Sequence, residues 1–148
     1  MAGELPGAVL FACNQNAVRS PMASGLMKHF YGRRVFACSA GVRAGEPDGF
    51  AIAVMEELGI DISPHKPIEM EELHDTSFDM VFSLTPEAHH KALELTRTMA
   101  VECTYWPTLD PSLASGSREQ ILDAYRAVRD QLSKRIRDKF GGVGAPVV

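Results

Sequence analysis

The sequence predicts an α/β fold built in three layers, a four-stranded parallel sheet flanked by helices on both faces. Two observations carry that expectation. Four short apolar runs alternate with helical patterns in the order β-α-β-α-β-α-β-α, and parallel strands joined by crossover helices are covered on both sides. The runs are also continuous rather than alternating, the pattern of strands buried on both faces. A third observation concerns the first connection: "CNQNAVRS" is too polar for a core, yet it leaves a strand and enters a helix.

The elements follow in order. Residues 1–7 read as a short tail. "AVLFA" (8–12) is the first strand. A helix then opens at Pro21, which suits a first turn because its missing N–H has no partner to lose. Met22, Leu26, Met27 and Phe30 recur along it at helical spacing, and Gly32 ends it. "VFACSA" (35–40) is the second strand, followed by the Gly-rich "GVRAGEPDG" and a helix over 49–58. Asp48 is placed to cap that helix and Gly59 to stop it. One short helical turn fits 69–73, where Glu69, Glu71 and Glu72 read as a solvated face. "FDMVFSL" (78–84) is the third strand, and 85–95 a helix with Thr85 as cap and Pro86 first inside. "AVECTYW" (100–106) is the fourth strand, and a long helix runs from 117 to 140 with Ile121, Leu122, Tyr125, Val128, Leu132 and Ile136 as its core stripe. The Gly-punctuated 141–148 reads as a second tail. The whole chain, 1–148, is read as one domain, as its length suggests.

Composition narrows the function. The 148 residues are 45% hydrophobic and 23% charged, with a formal net charge of -4. Such a balance supports a full core and argues against nucleic-acid binding, which needs a basic face. No apolar run approaches the roughly 20 residues of a membrane span, and "MAGELPGAVLFAC" lacks the basic start of a secretion signal. The expected location is therefore cytoplasmic, with no membrane partner. Three cysteines, Cys13, Cys38 and Cys103, without CxxC spacing make neither a disulfide scaffold nor a zinc site. No metal or other cofactor is expected. His89 and His90, adjacent on a helix and about 100° apart, chelate one metal poorly, and both are expected at the surface. Cys38 and Cys103 fall inside strands and read as small buried hydrophobes.

In open parallel sheets ligands bind beyond the C-terminal strand ends. That selects the loops 13–20, 41–48, 84–86 and 107–116. The first of them is C-x5-R-S. If its backbone curls so that the N–H groups of Asn14, Gln15, Asn16, Ala17, Val18 and Arg19 point inward, the loop and the following helix start form a cradle for one phosphoryl group. It is then a phosphate-binding loop after the first strand. Arg19 adds a forked cation that holds two oxygens at once. Cys13 sits at the base, where the same positive environment favours thiolate over thiol, and a thiolate beneath a phosphoryl group is an in-line nucleophile. Ser20 can donate to that sulfur, and Asn16 can brace the loop with its side chain. Arg43, from the second loop, reads as a solvated arginine rather than an anion ligand.

Expelling an alkoxide needs a proton donor. The carboxylates at the ligand edge are Glu46, Asp48, Glu87 and Asp110. Asp48 is accounted for as a cap, Glu87 as a first-turn charge favoured by the helix dipole, and Glu46 as an exposed loop acid. Asp110 stands in a long loop, held extended by Pro111.

"VLFACNQNAVRSPMASGL" resembles the signature of the low-molecular-weight protein tyrosine phosphatases, whose fold is shared with thioredoxin-coupled arsenate reductases. The likeness continues in "SAGVRAGEPD", "LGIDISPHKP" and a late Asp-Pro pair, over about 8–140. It implies Cys13 as nucleophile, Arg19 as clamp, Asp110 of the Asp-Pro pair as general acid and base, and His65 as a support of the loop through Asn16. The implied enzyme is a cysteine-dependent phosphomonoester hydrolase working through phosphocysteine. Its substrates would be a phosphorylated protein or a small phosphomonoester, and the chain a monomer or weak homodimer. Two departures stand out. Val18 occupies the place of a second loop cysteine, and Ser112 and Leu113 follow Asp110-Pro111 where aromatic residues commonly line a tyrosine slot. The second departure argues against selectivity for phosphotyrosine. Arsenate reduction is the alternative, disfavoured by the lack of a cysteine in "SLTPEAHH". An inactive anion-binding or interaction module is the third reading.

Overall fold

The computed structural model describes residues 5–73 and 77–141. Its strands are β1 (Ala8–Cys13), β2 (Phe36–Gly41), β3 (Met80–Ser83) and β4 (Glu102–Tyr105). All pair in parallel, in the spatial order β2-β1-β3-β4. The helices are α1 (Arg19–Tyr31), α2 (Gly49–Glu56), α3 (Pro86–Leu95) and α4 (Arg118–Phe140). Two single 3₁₀ turns, Met70–Glu72 and Pro111–Leu113, complete the regular structure of the described residues.

Alternation along β1 divides the core. Val9, Phe11 and Cys13 face the layer of α1, α2 and α4, while Leu10 and Ala12 face α3 and Met70. Phe11 stacks on Phe82 at 5.4 Å, and Phe82 in turn meets Trp106 at 4.2 Å and Phe140 at 5.9 Å. This aromatic column ties β1 and β3 to the end of α4. The expected stripe on α4 is buried at Leu122, Tyr125, Val128, Leu132 and Ile136, with Ile121 only partly buried.

The strand order also corrects the reading of all four strands as doubly buried. Only β1 and β3 lie inside the sheet. β2 and β4 are edges, so Phe36 is 65% exposed and Glu102 and Tyr105 open to solvent. Cys38 and Cys103 are accordingly half-buried rather than buried. At the helix starts, Asp48 caps α2 by accepting from Phe50 N and Ala51 N, and Thr85 caps α3 by accepting from Ala88 N. Helix α1 begins at Arg19, two residues before the expected Pro21, which now sits in the first turn behind Ser20. Helix α2 closes at Glu56, and Gly59 follows with φ +76, a conformation that glycine adopts freely. Leu5 packs against the core, and the N–H groups of Gly7 and Ala8 both donate to Asp79 Oδ2 at 2.8 and 3.0 Å. The rest of the N-terminal segment, 1–4, and residues 142–148 lie outside the described residues, as do His74, Asp75 and Thr76.

The chain moves from β1 outward to β2, then crosses back past β1 to β3. Loops leave β1 and β3 toward opposite faces, which opens a crevice at their C-terminal ends. Cys13 ends β1 at that crevice.

Candidate functional site

The loop between β1 and α1 has a one-sided backbone. Its carbonyls are turned outward and bonded to the scaffold. Cys13 O accepts from Val42 N at 2.9 Å, Asn14 O from Arg43 N at 2.8 Å, and Gln15 O from Gly45 N at 2.8 Å. Val18 O accepts from Met22 N at 3.1 Å. Among the described residues, the N–H groups of Asn14 through Arg19 find no acceptor in the protein. Backbone donors in a folded interior are nearly always paired. A run of unpaired ones, continued by the start of a helix, makes a concave nest for an anion.

Two glycines let the neighbouring segment run alongside this loop. A Cβ on Gly41 would lie 2.5 Å from Arg43 O and 2.7 Å from Asn16 N, and one on Gly45 would lie 2.7 Å from Gln15 Oε1. At Gly41 the atoms met are backbone and cannot swing aside, so only glycine permits that approach.

Asn16 fixes the curl. It is fully buried and has φ 55, the sole non-glycine residue with positive φ among the described residues. Its Nδ2 donates to Ser20 Oγ and to Ser39 Oγ, both at 2.9 Å. Its Oδ1 accepts from Ile68 N at 2.9 Å. His65 Nε2 lies 2.9 Å from Asn16 O, and because a carbonyl only accepts, Nε2 carries the proton. Ser20 Oγ also contacts Cys13 Sγ at 2.9 Å. The expected set of Cys13, Asn16, Ser20 and His65 is therefore one bonded cluster. Cys13 is 2% exposed, at the end of β1 and against the first turn of α1.

Arg19 reaches from α1 to the loop after β4. Its Nη1 donates to Thr108 O at 2.9 Å, and its Nη2 stands 3.7 Å from Asp110 Oδ2. The Arg19 side chain is 11% exposed and Asp110 30%. Asp110 is held by its own turn, with Ser112 N and Ser112 Oγ donating to Oδ1 at 2.9 and 2.7 Å. Tyr125 backs this region, donating to Asp48 Oδ2 at 2.8 Å. Burial, the bond to Asp48 and the charges of Asp48 and Asp110 hold its phenol well above the usual range. The structure thus brings Asp110 to Arg19, and gives Asp48 a second task beside its cap.

The remaining members of the loop divide. Asn14 Oδ1 accepts from Thr85 Oγ1 at 2.6 Å, and Gln15 is exposed. Ala17 and Val18 pack against the core. Arg43 is half exposed but not merely solvated, since it pairs with both oxygens of Glu87 at 3.0 and 3.1 Å. His89 departs from its surface assignment: it is half-buried and stacked on Tyr105 at 5.1 Å, because β4 lies beneath α3. His90 is exposed beside Glu94. Glu71 pairs with Lys91, while Glu69 and Glu72 form a capping box.

Ser39, Ile68 and Thr108 were not legible as site residues. Ser39 carried one weak signal, a polar residue in an apolar strand two positions before its ligand-edge end. Among the described residues, no group of three or more His, Cys, Asp or Glu is placed to hold a metal ion. No helix among them is long and apolar enough to cross a membrane.

Comparison with known proteins agrees with this architecture. The family model for low molecular weight phosphotyrosine protein phosphatase matches residues 8–143. An arsenate reductase of Shouchella clausii is 33% identical over 138 residues, covering 92% of this chain and 96% of the relative. The crystal structure of a low molecular weight protein tyrosine phosphatase from T. tengcongensis superposes with TM-score 0.73 at 28% identity, over 90% of this chain and 96% of that one. A structure described as an arsenate reductase in the phosphate binding state superposes with TM-score 0.71 at 29% identity, over 89% and 95%.

Proposed function

Since the chain belongs to the low molecular weight phosphotyrosine protein phosphatase family, we propose that it is a cysteine-dependent phosphomonoester hydrolase. The observation that carries this reading is the run of unpaired N–H groups from Asn14 to Arg19 above the end of β1, where Cys13 lies. Such a nest takes the equatorial oxygens of a phosphoryl group, and Arg19 supplies the positive charge that they need as bonding shifts. Cys13 Sγ attacks phosphorus and forms phosphocysteine, and Ser20 Oγ, 2.9 Å away, donates to the sulfur as it ionises. Asp110 protonates the departing oxygen, then takes a proton from the water that releases phosphate. Substrates are phosphorylated proteins or small phosphomonoesters. Leu113, 81% exposed, follows Asp110-Pro111 in place of an aromatic residue, which argues against a dedicated phosphotyrosine slot.

The test is hydrolysis of para-nitrophenyl phosphate at mildly acidic pH. Cys13→Ser is expected to abolish turnover, and Asp110→Asn to lower kcat by roughly 10²–10⁴-fold, the usual worth of a positioned acid. Turnover that survives Cys13→Ser defeats the mechanism.

Arsenate reduction is the second reading, favoured by relatives named for that activity. It requires further thiols to carry electrons away from the first. Cys38 pairs with Leu10, and Cys103 pairs with Val81, itself the partner of Leu10. Both cysteines therefore lie three residues below Cys13, about 10 Å down the sheet at about 3.3 Å per residue. A disulfide needs Cα atoms within about 7 Å. Neither can relay electrons from Cys13 while the sheet is intact, and this weighs for the hydrolase. Arsenate turnover with a thioredoxin or glutaredoxin system discriminates the two readings.

A further inference from the structure

A second concavity lies behind the phosphate loop, between α1 and the segment 59–65. Its volume is about 500 Å³, within the roughly 300–1,000 Å³ of small-molecule sites. The floor is built from buried Gly25, Ser39 and Ile60, and the rim carries exposed Lys28, His29 and Asp61. The segment packs closely on α1 at Gly25, where a Cβ would meet Ile62 Cγ2 at 3.0 Å and push it outward by a few tenths of an ångström.

The rim of this cleft carries both signs, and the acid is the one with hydrogen-bond partners. Lys28 has no carboxylate partner among the described residues. Asp61 keeps its charge on the rim but is held within its own loop, where Ser63 N and Ser63 Oγ donate to its Oδ1 at 2.9 and 2.6 Å and push its pKa down. Ser39 Oγ accepts from Asn16 Nδ2, so its own O–H remains to donate. Lys28 and Ser39 thus supply donors at the edge of an apolar bed of Gly25, Ile60 and Ile62, across from an acid already bonded within its own loop. We propose that this cleft binds a small organic carboxylate with an apolar body. The carboxylate is taken by Lys28 and the Ser39 hydroxyl, and the body lies on Ile60 and Ile62.

The location gives the occupant a route to the phosphate loop. Ser39 and His65 both line the cleft, and both hold Asn16, one through its side chain and one through its carbonyl. An occupant bonded to Ser39 therefore acts on the residue that sets the curl of the loop. This site goes beyond the hydrolase reading and stands without it.

Benzoate is the probe, titrated into the ¹⁵N-labelled full chain with inorganic phosphate kept saturating so that a phosphate loop competent to bind it is occupied. Saturable shifts of the Gly25, Gly59, Ile60 and Ile62 amides are expected, accompanied by a shift at Asn16. Lys28→Met should weaken benzoate at least tenfold, while its own para-nitrophenyl phosphate turnover, if the chain has any, stays at the wild-type level. Shifts confined to residues 14–19, or equal affinity in Lys28→Met, overturns the site. Binding at the cleft with no response at Asn16 overturns the coupling. The readout is binding, so an inactive wild-type enzyme would defeat the hydrolase reading and leave this one standing.

Discussion

Replacing Asn16 tests the central device of the fold. Asn16→Ala removes three side-chain hydrogen bonds, to Ser20, Ser39 and Ile68, each worth about 1 kcal/mol in a neutral setting. It also places alanine at φ 55, where a Cβ-bearing residue without a polar side chain costs roughly 1–2 kcal/mol. The expected loss is about 4–5 kcal/mol, a large share of the roughly 5–15 kcal/mol that holds a domain together. Asn16→Gly loses the same bonds but escapes the steric part. Glycine gives back about 0.5–1 kcal/mol through its looser unfolded chain, so it should end about 0.5–1 kcal/mol less damaged than alanine. Urea unfolding reads both, and with a slope of about 2 kcal/mol per molar the alanine midpoint should fall by about 2 M. A loss below about 1.5 kcal/mol, or a glycine variant less stable than the alanine one, would refute Asn16 as the knot of the loop.

Other expectations follow from single contacts. Gly41→Ala forces a Cβ onto Arg43 O and Asn16 N, whereas Gly49→Ala meets nothing within 4 Å; thermal melts should show a large loss for the first and little for the second, and equal losses would discredit the close approach. Arg126 and Arg129 hold Glu57 at about 2 instead of 4.5, and a depressed carboxyl stabilises the fold above its unfolded value, an advantage lost as pH falls from about 4.5 toward about 2. The melting temperature of the wild type should therefore drop more steeply over that interval than that of Glu57→Gln; parallel curves would speak against the bridge. Burial, partly opposed by Lys28, pushes Cys38 from 9.0 to about 11, so at pH 8 iodoacetamide should label it about 100-fold more slowly than an unperturbed thiol. Mass spectrometry of the labelled peptide checks this, and fast labelling would contradict it. Tyr125→Phe removes the donor to the Asp48 carboxylate and should cost about 1.5–3 kcal/mol in the same urea assay, the worth of a hydrogen bond to a charged group; an unchanged midpoint would make that bond ornamental.

Much of the fold could be read from the sequence because its signals are local. Asp48 and Thr85 cap their helices through their own side chains, as expected, and the apolar runs of β1 and β3 are what an interior parallel strand requires. Strand order is not local. Nothing in "VFACSA" or "AVECTYW" states that these strands are edges, and so Cys38 and Cys103 were expected to be buried. The start of α1 departs from the expected Pro21 for a related reason. Val18 offers no side-chain cap, and the helix begins where the loop ends its curl. At the site, Cys13, Arg19 and Ser20 were legible because one short segment holds them. Thr108 and Ile68 contribute only backbone atoms to Arg19 and Asn16, and a backbone atom leaves no mark on residue identity. Arg129 was hidden among the apolar positions of α4: it is 8% exposed and donates to Val54 O at 2.8 Å.

The register of the three cysteines has a kinetic consequence. Cys38 and Cys103 stand level with Leu10 and Cys13 stands above them, so while the sheet is intact the reduction of an oxidised Cys13 by thiol exchange needs a sulfhydryl arriving from solution. Should this chain process arsenate, its velocity would rise in proportion to the added reductant, with no plateau set by an internal shuttle. In a peroxide challenge the lone sulfur would likewise depend on collision with whatever mercaptan its surroundings provide.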